Sequence, residues 1–200
     1  MKIDVTALLS SHVDTVVKLH LKAFPDYFLS FLGPRFLREF YISFTLDSQG
    51  IGYIASAPDG HILGVIVGSV DPRGYFHRLL KRRWLAFCLA SITAILKRPS
   101  CISRLFRAVF YRGESPAGSK RALLSSIAVD PNIQRIGAGK KLVMCWVEEA
   151  RRRGASGCYL TTDTDNNDKV NAFYQSLKWR LECTCTTPQG RRMNRYVYDF

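Results

Sequence analysis

The sequence predicts one mixed α/β (α+β) domain, and three observations support this. Apolar residues recur at helical spacing in the first third, short β-rich runs follow, and strand-like and helix-like segments alternate in the second half. With 200 residues and 47% apolar composition, the chain can bury one sizeable core. Its 12% aromatic and 22% charged content excludes collagen-like, low-complexity and wholly disordered proteins. We therefore expect a single domain over residues 1–200.

The first elements are two helices and a hairpin. Apolar residues of the segment 13–24 fall on one helical stripe, and Pro34 is a favourable first residue for a second helix. The period then changes, because the segments 51–57 and 61–70 are short and β-rich. The turn sequence at 58–60, Pro-Asp-Gly, predicts that these two strands form a hairpin.

The second half alternates strands and helices. Strand-like runs recur at 122–129, 157–162, 179–186 and 193–200. A helix is predicted after the first run, with apolar residues at helical spacing up to Ala150 and three arginines before a terminating Gly154. Another helix is predicted after Asn167, which is a good N-cap residue.

One segment carries most of the net positive charge. The chain has 29 Lys and Arg against 16 Asp and Glu, which gives a net charge of +13. The segment 72–113, here called the basic insert, contains ten of the basic residues and no acidic one. An anionic partner of any kind should meet this segment first.

The basic insert has three interpretations. Its centre, residues 84–96, has only Ser91 and Thr93 as polar residues, but it is shorter than the roughly 20 residues that span a bilayer. A core helix with a solvated basic rim is the simplest interpretation. An interfacial helix on an anionic membrane surface is the second, because cations flank the apolar stretch. Nucleic acid comes third, since no nucleic-acid-binding motif accompanies the charge.

The six cysteines indicate neither a metal site nor a redox pair. None belongs to a C-x-x-C pair and none has a neighbouring histidine, so we expect buried thiols and no metal. The first residues contain no apolar run long enough for a signal peptide. We therefore expect a cytoplasmic protein, peripheral at the inner membrane face if the basic insert binds lipid. The sequence makes no prediction of oligomeric state.

The segment 126–141 runs from a predicted strand through a glycine-containing loop into a helix. Gly137 and Gly139 let the backbone approach an anion, and the free N–H groups at the helix start point outward. Arg135 and Lys140 add positive charge. The glycine spacing fits neither the dinucleotide fingerprint nor the Walker loop. The segment suits a pyrophosphate, and a tight strand-to-helix turn is the structural alternative.

This segment resembles the GNAT superfamily of acetyl-CoA-dependent N-acetyltransferases, of the bacterial type. The family motif is Gln or Arg, two residues, Gly, one residue, and Gly or Ala, which Gln134, Gly137 and Gly139 match. A second family pattern, on the later helix, is matched by Asn167 and Tyr174.

The likeness covers about residues 123–179. Val170 stands where the second pattern usually has alanine, and Lys178-Trp179 stands where the family often has Gly-Phe.

The resemblance implies a central, mostly antiparallel sheet flanked by helices, with acetyl-CoA as the acetyl donor. The backbone of Ile127, Ala128 and Val129 would bind the pantetheine arm and lend an N–H to the oxyanion. Asn167 would hold the same arm. The remaining cofactor-binding residues would be those of the loop and the helix start: Gln134, Arg135, Ile136, Gly137, Ala138, Gly139 and Lys140.

Two residues are candidates for catalysis. Tyr174 would be the general acid, since a phenol with a pKa of about 10 is protonated at neutral pH. Its alternative is a core aromatic, because it lies on the apolar stripe of its helix. Asp163, just past a strand end, is placed to be a base or a substrate contact, and its alternative is a helix cap.

The function that this resemblance implies is N-acetylation of a small-molecule primary amine. Residues 23–33 also look like bacterial GNAT proteins associated with surface polysaccharides, so an amino sugar is the first candidate acceptor. A protein or peptide amine is the second candidate. A non-catalytic acyl-CoA-binding module at a membrane is the alternative from a different class.

Overall fold

The helices and strands follow the predicted order with two additions. The structure, a computed structural model, describes residues 2–97, 120–133, 136–187 and 190–200. Its strands are β1 (Asp4–Ala7), β2 (Gly50–Ser56), β3 (Ile62–Ser69), β4 (Arg121–Val129), β5 (Gly157–Asp163), β6 (Arg180–Thr186) and β7 (Arg192–Asp199). Its helices are α1 (Val13–Ala23), α2 (Phe28–Leu32), α3 (Pro34–Leu46), α4 (Pro72–Lys97), α5 (Ala138–Arg152) and α6 (Asp168–Ser176). The short elements β1 and α2 were not predicted.

The described strands form one sheet in the order β1-β2-β3-β4-β5-β7-β6. Neighbouring strands are antiparallel, except that β4 and β5 are parallel. The prediction of a mostly antiparallel sheet is thus confirmed. The predicted hairpin joins β2 to β3, and Gly60 in its turn has φ +85°, a conformation that suits glycine.

The parallel strands β4 and β5 separate soon after they begin. They pair at residues 121–123 and 157–159, while β4 continues to Val129 and β5 to Asp163. The register of β4 with β3 shifts at Ser125, which makes a bulge there. Beyond Leu123 and Tyr159 the two strands no longer pair, and the space between them there is here called the gap.

Helices cover the sheet on both faces. Helix α5 packs on one face, where Trp146 is fully buried, and α1 and α3 pack on the other, where Tyr41 is fully buried. Along β4 the side chains alternate between these faces, because Ile127 and Val129 join the α5 side and Ala128 joins the α1 and α3 side. The strand that borders the gap is thus held from both sides.

The basic insert begins as the long helix α4, and its residues 98–113 lie outside the described residues. Within α4, Arg78 bonds the carboxylates of Asp47 and Asp71, and Arg83 bonds Glu39. Part of the positive charge is therefore neutralised inside the fold.

One side of α4 is exposed. Trp84, Leu85 and Leu89 are 54%, 57% and 65% exposed, whereas Ala90 is buried beside α2 and α3. The interpretation of a core helix is therefore wrong for these three residues, because their side chains face away from the contact with α2 and α3. Of the helices described, none combines the length and apolar character that crossing a membrane requires.

The cysteines are less buried than expected. Cys158 is buried and Cys145 is half-buried, but Cys88, Cys183 and Cys185 are exposed. Cys183 and Cys185 lie on β6, an edge strand whose residues are mostly exposed. The expectation of buried thiols is therefore wrong for these two and for Cys88, and Cys101 lies outside the described residues. In the part of the chain that the structure describes, no group of His, Cys, Asp and Glu could hold a metal ion.

Candidate active site

Helix α5 begins at the carboxyl end of β4 with free backbone N–H groups. Its N-cap, Gly137, has φ +88°, which glycine adopts without the steric cost that other residues pay. No described side chain caps this helix, and its first turn has no acidic residue. The unpaired N–H groups and the positive end of the helix dipole therefore form a site for an anion.

The start of α5 also contacts β4 and α6. A Cβ atom added to Gly139 would lie 3.5 Å from the ring of Phe173 and 3.7 Å from the side chain of Val129. The helix start, the end of β4 and helix α6 thus meet at one place. A Cβ atom at Gly139 would make ordinary van der Waals contact with both of these side chains.

The predicted cofactor-binding residues of this region are placed as follows. Ala138 is buried, Ile136 and Lys140 are exposed, and Gln134 and Arg135 lie outside the described residues. Ile136 and Lys140 can therefore reach a ligand at the helix start.

The backbone of β4 is paired on one side only beyond the bulge. Residues 127–129 pair with residues 64–66 of β3, and no described strand pairs with them on the β5 side. Backbone N–H and C=O groups that face the gap are consequently free to bind an extended ligand. The segment Ile127 to Val129, predicted to bind the pantetheine arm, thus lies along the gap at the end of β4 that precedes α5.

Tyr174 is a buried phenol on α6. It is 3% exposed, and its ring lies 5.3 Å from that of Phe173 and 5.8 Å from that of Trp179, both in edge-to-face contact. Burial raises the pKa of Tyr174 far above its usual value, so the hydroxyl is protonated at neutral pH. Among the described residues, no group hydrogen-bonds this hydroxyl. Tyr174 is thus both a core aromatic and a protonated acid.

Asn167 ties α6 to the end of β5. Its side-chain amide donates to Thr162 Oγ1 at 2.8 Å and to the carbonyl oxygen of Asp163 at 3.0 Å. It stands at the N-cap position of α6, but it makes no side-chain cap bond there. The predicted residues Asn167 and Asp163 are therefore neighbours at the mouth of the gap.

The carboxylate of Asp163 is engaged by Arg191. Both carboxylate oxygens accept a hydrogen bond from the guanidinium group. The pKa of Arg191 is raised, chiefly by this bond, and the nearby Tyr27 adds to the rise. Tyr27 follows α1 in the segment 24–27, here called the α1–α2 loop.

Sequence reasoning missed a second polar group beside the gap. The amide of Asn171 donates to the carbonyl oxygens of Asp163 and Asn167, and its Oδ1 accepts from Asn194 and Tyr196 at 3.0 Å each. Asn171 follows Asn167 by one helical turn, so the i, i+4 spacing was the available signal. Arg191 gave no signal, since only the sheet brings it to Asp163.

These groups define what the site can do. A gap lined by backbone groups can hold an extended arm, and the start of α5 at the gap can hold a pyrophosphate. Tyr174 on the adjoining helix can supply a proton to a leaving group.

The chain matches the family model of the acetyltransferase (GNAT) family over residues 14–179. No curated protein sequence matches it significantly.

Solved structures of acetyltransferases share the fold. An N-acetyltransferase from Staphylococcus aureus Mu50 superposes with a TM-score of 0.62 at 12% identity, covering 100% of this chain and 99% of that one. The ribosomal-protein-S18-alanine N-acetyltransferase from Escherichia coli gives a TM-score of 0.61 at 13% identity, with 99% and 94% coverage. The PaiA N-acetyltransferase from Thermoplasma acidophilum, in complex with coenzyme A, gives 0.60 at 13% identity, with 99% and 100% coverage.

Identities this low establish the fold alone, whereas the family model covers most of the chain. Together with the gap between β4 and β5 and the uncapped start of α5, that match leads to one assignment. The chain belongs to the GNAT family of acetyltransferases and is an acyltransferase.

Proposed function

We propose that this protein transfers the acetyl group of acetyl-CoA to a primary amine by direct attack within a ternary complex. The observation that carries the proposal is the gap between β4 and β5 with an uncapped helix start at its end. A long donor with an anionic pyrophosphate and an amide-rich arm fits these two features. A coenzyme A complex is known for a structure with this fold.

On the donor side, the backbone N–H groups of residues 137–140 bind the pyrophosphate, and Lys140 adds positive charge beside it. Gln134 and Arg135 are proposed as cofactor contacts on the family motif. The gap-facing backbone of Ile127, Ala128 and Val129 binds the pantetheine arm and the carbonyl oxygen of the acetyl group. Asn167 borders the same arm.

Acetyl-CoA supplies a thioester, from which an amine can take the acetyl group. The Tyr174 hydroxyl is protonated at neutral pH and gives its proton to the sulfur as the C–S bond breaks, and the proton that the attacking nitrogen loses restores the phenol. The amine binds across the gap, near Asp163. We propose Asp163 as the acceptor contact, or as the base after it leaves Arg191.

The proposed acceptor is an amino sugar carried on a nucleotide. The mouth of the gap combines the 45% exposed aromatic ring of Tyr27 with the guanidinium of Arg191. A planar aromatic ring can pack against the face of a sugar, and the Arg191 guanidinium can donate two parallel hydrogen bonds to an anionic group. A protein or peptide amine is the alternative, and it would need an open groove between the α1–α2 loop and β7.

The test is a calorimetric titration with acetyl-CoA, followed by an amine screen that measures thiol release. We expect micromolar binding of acetyl-CoA, weaker binding of 3′-dephospho-CoA, and turnover with nucleotide-linked amino sugars. Turnover with peptides only would favour the protein-amine alternative. No binding at millimolar acetyl-CoA by folded protein would overturn the proposal.

Binding without turnover of any amine would favour the non-catalytic acyl-CoA-binding module. The Tyr174→Phe variant separates these outcomes, since it should bind acetyl-CoA and lose turnover only if the protein is an enzyme.

The exposed side of α4 supports a further partner, an anionic membrane surface. Trp84, Leu85 and Leu89 project from the helix beside Lys81, which is also exposed, within a segment that has no acidic residue. Liposomes containing anionic lipid should co-sediment with the protein at low salt and release it at high salt. The Leu85→Glu variant should stay in solution, and equal sedimentation of this variant would contradict the proposal.

A further inference from the structure

A buried hydrogen bond joins α1 to α3 beneath β4. The Nδ1 atom of His20 lies 2.7 Å from the hydroxyl of Tyr41, and these residues are 3% and 0% exposed. No described residue hydrogen-bonds the Nε2 atom of His20. The bond to Tyr41 is therefore the polar contact that fixes this ring among the described residues.

The contact continues from Tyr41 to β4. The Ser126 hydroxyl is a hydrogen-bonding neighbour of Tyr41 and acts to lower its pKa, which burial raises. Tyr41 also packs in the same buried cluster as Ala128 of β4. Its hydroxyl can donate to the Nδ1 atom of His20 when that nitrogen carries no proton. Ser126 directly follows the bulge at Ser125 and lies on the part of β4 that no longer pairs with β5, which begins after Leu123.

On its other side, His20 begins a series of aromatic ring contacts that leads to the α1–α2 loop. The His20 ring lies 5.1 Å from that of Phe24, which lies 5.0 Å from that of Tyr27, both in edge-to-face geometry. Tyr27 interacts electrostatically with Arg191, which bonds Asp163 at the end of β5. One unbroken series of side chains thus runs from the free edge of β4 to the α1–α2 loop.

His20 is uncharged in this series. Burial lowers its pKa to about 4, so the ring stays neutral at physiological pH. A weak, enclosed base of this kind is suited to hold a position and not to accept a proton from an amine.

We propose that His20 and Tyr41 are positioning residues that set the α1–α2 loop against the free edge of β4. The loop would carry the acceptor and the edge would carry the acetyl group, so this inference rests on the proposed function. Loss of the His20–Tyr41 bond should misplace the two reactants relative to each other and leave donor affinity intact.

The test compares Tyr41→Phe with Tyr75→Phe. Tyr75 is also buried on the α3 side, and its hydroxyl bonds Ser43, so the control loses an equivalent hydrogen bond away from β4. For Tyr41→Phe we expect kcat to fall about tenfold and the Kd for acetyl-CoA to change less than about twofold. Amide hydrogen exchange of residues 24–33 and 126–129 should rise about fivefold. Tyr75→Phe should leave all three quantities unchanged.

A second pair of variants covers the case in which Tyr41→Phe does not fold. His20→Leu removes the polar atom, whereas His20→Asn keeps one near the position of Nδ1 and should restore most of the kcat and the exchange protection. Equal exchange and equal kcat in Tyr41→Phe and Tyr75→Phe would overturn the inference. If the wild type acetylates no amine, the proposed function fails, and the exchange comparison still decides whether the bond couples the loop to β4.

Discussion

Replacement of Gly137 by glutamate should abolish donor binding without unfolding the protein. The matched control is Gly154→Glu, at the other end of α5. Gly137 and Gly154 have φ values of +88° and +83°, and a Cβ at either position would meet no atom within 4 Å. The two variants therefore share the same backbone strain and the same added charge, and they differ in where that charge lies.

The magnitude follows from these positions. A non-glycine residue in the left-handed conformation costs about 1 to 2 kcal/mol, which both variants pay. A carboxylate at the start of α5 is favoured by the helix dipole by about 0.3 to 1 kcal/mol, and one at its end is disfavoured by a similar amount. At an effective dielectric constant of about 20, a carboxylate roughly 5 Å from a phosphate charge raises the binding free energy by about 3 kcal/mol. Gly137→Glu should thus bind acetyl-CoA at least about 100-fold more weakly, although it is the more stable variant.

The assay is calorimetric titration with acetyl-CoA, with thermal unfolding of both variants recorded in parallel. We expect Gly154→Glu to bind like the wild type and to melt at the lower temperature. Equal affinities in the two variants would show that the start of α5 does not hold the pyrophosphate. Low affinity that accompanies loss of the folded state would be visible in the melting curves.

Three further predictions concern catalysis, pH and local strain. Tyr174→Phe should lower kcat about 100-fold in a thiol-release assay with donor affinity retained, and unchanged turnover would refute the acid role. Arg152 and Arg153 hold the pKa of Glu149 at about 2 instead of 4.5, so its carboxylate stabilises the fold above pH 4.5 and loses this effect as the pH falls toward 2. Urea unfolding should show Glu149→Gln less stable than the wild type by about 2 to 3 kcal/mol at pH 7 and equally stable near pH 2. A difference in stability that persists near pH 2 would contradict the pairing of Glu149 with the two arginines. Lys178 has φ +65°, so Lys178→Gly should relieve about 1 kcal/mol of strain and raise the Tm by about 2 °C, whereas a lower Tm would refute this.

Local patterns were enough to predict most of the elements. The helical spacing of apolar residues places α5, and its start after Gly137 follows from the glycine loop. Lys178 stands where the family often has glycine, but the turn is kept, because this lysine adopts the left-handed conformation that glycine would adopt there. The motif around Asn167 likewise identified the junction of β5 and α6.

What the sequence did not reveal depends on contacts between distant segments. Arg191 reaches Asp163 only because β7 pairs with β5 in one register. The pattern of apolar residues along β4 gives no sign in the sequence that its pairing with β5 stops at Leu123. In the sequence, His20 and Tyr41 look like residues on the apolar faces of two separate helices. Only the packing of α1 on α3 shows that their side chains share a hydrogen bond.

The early separation of β4 and β5 has a consequence for how this protein can diverge. The edge of β4 that borders the gap offers main-chain groups, which every residue except proline carries alike. Side chains at 127–129 are thus free to vary with the packing of the core, and donor binding would persist through such changes. The acceptor site proposed above depends instead on the side chains of Tyr27, Asp163 and Arg191, so substitutions there would change it directly. Selection for a new acceptor can therefore act on the mouth while the donor site stays as it is.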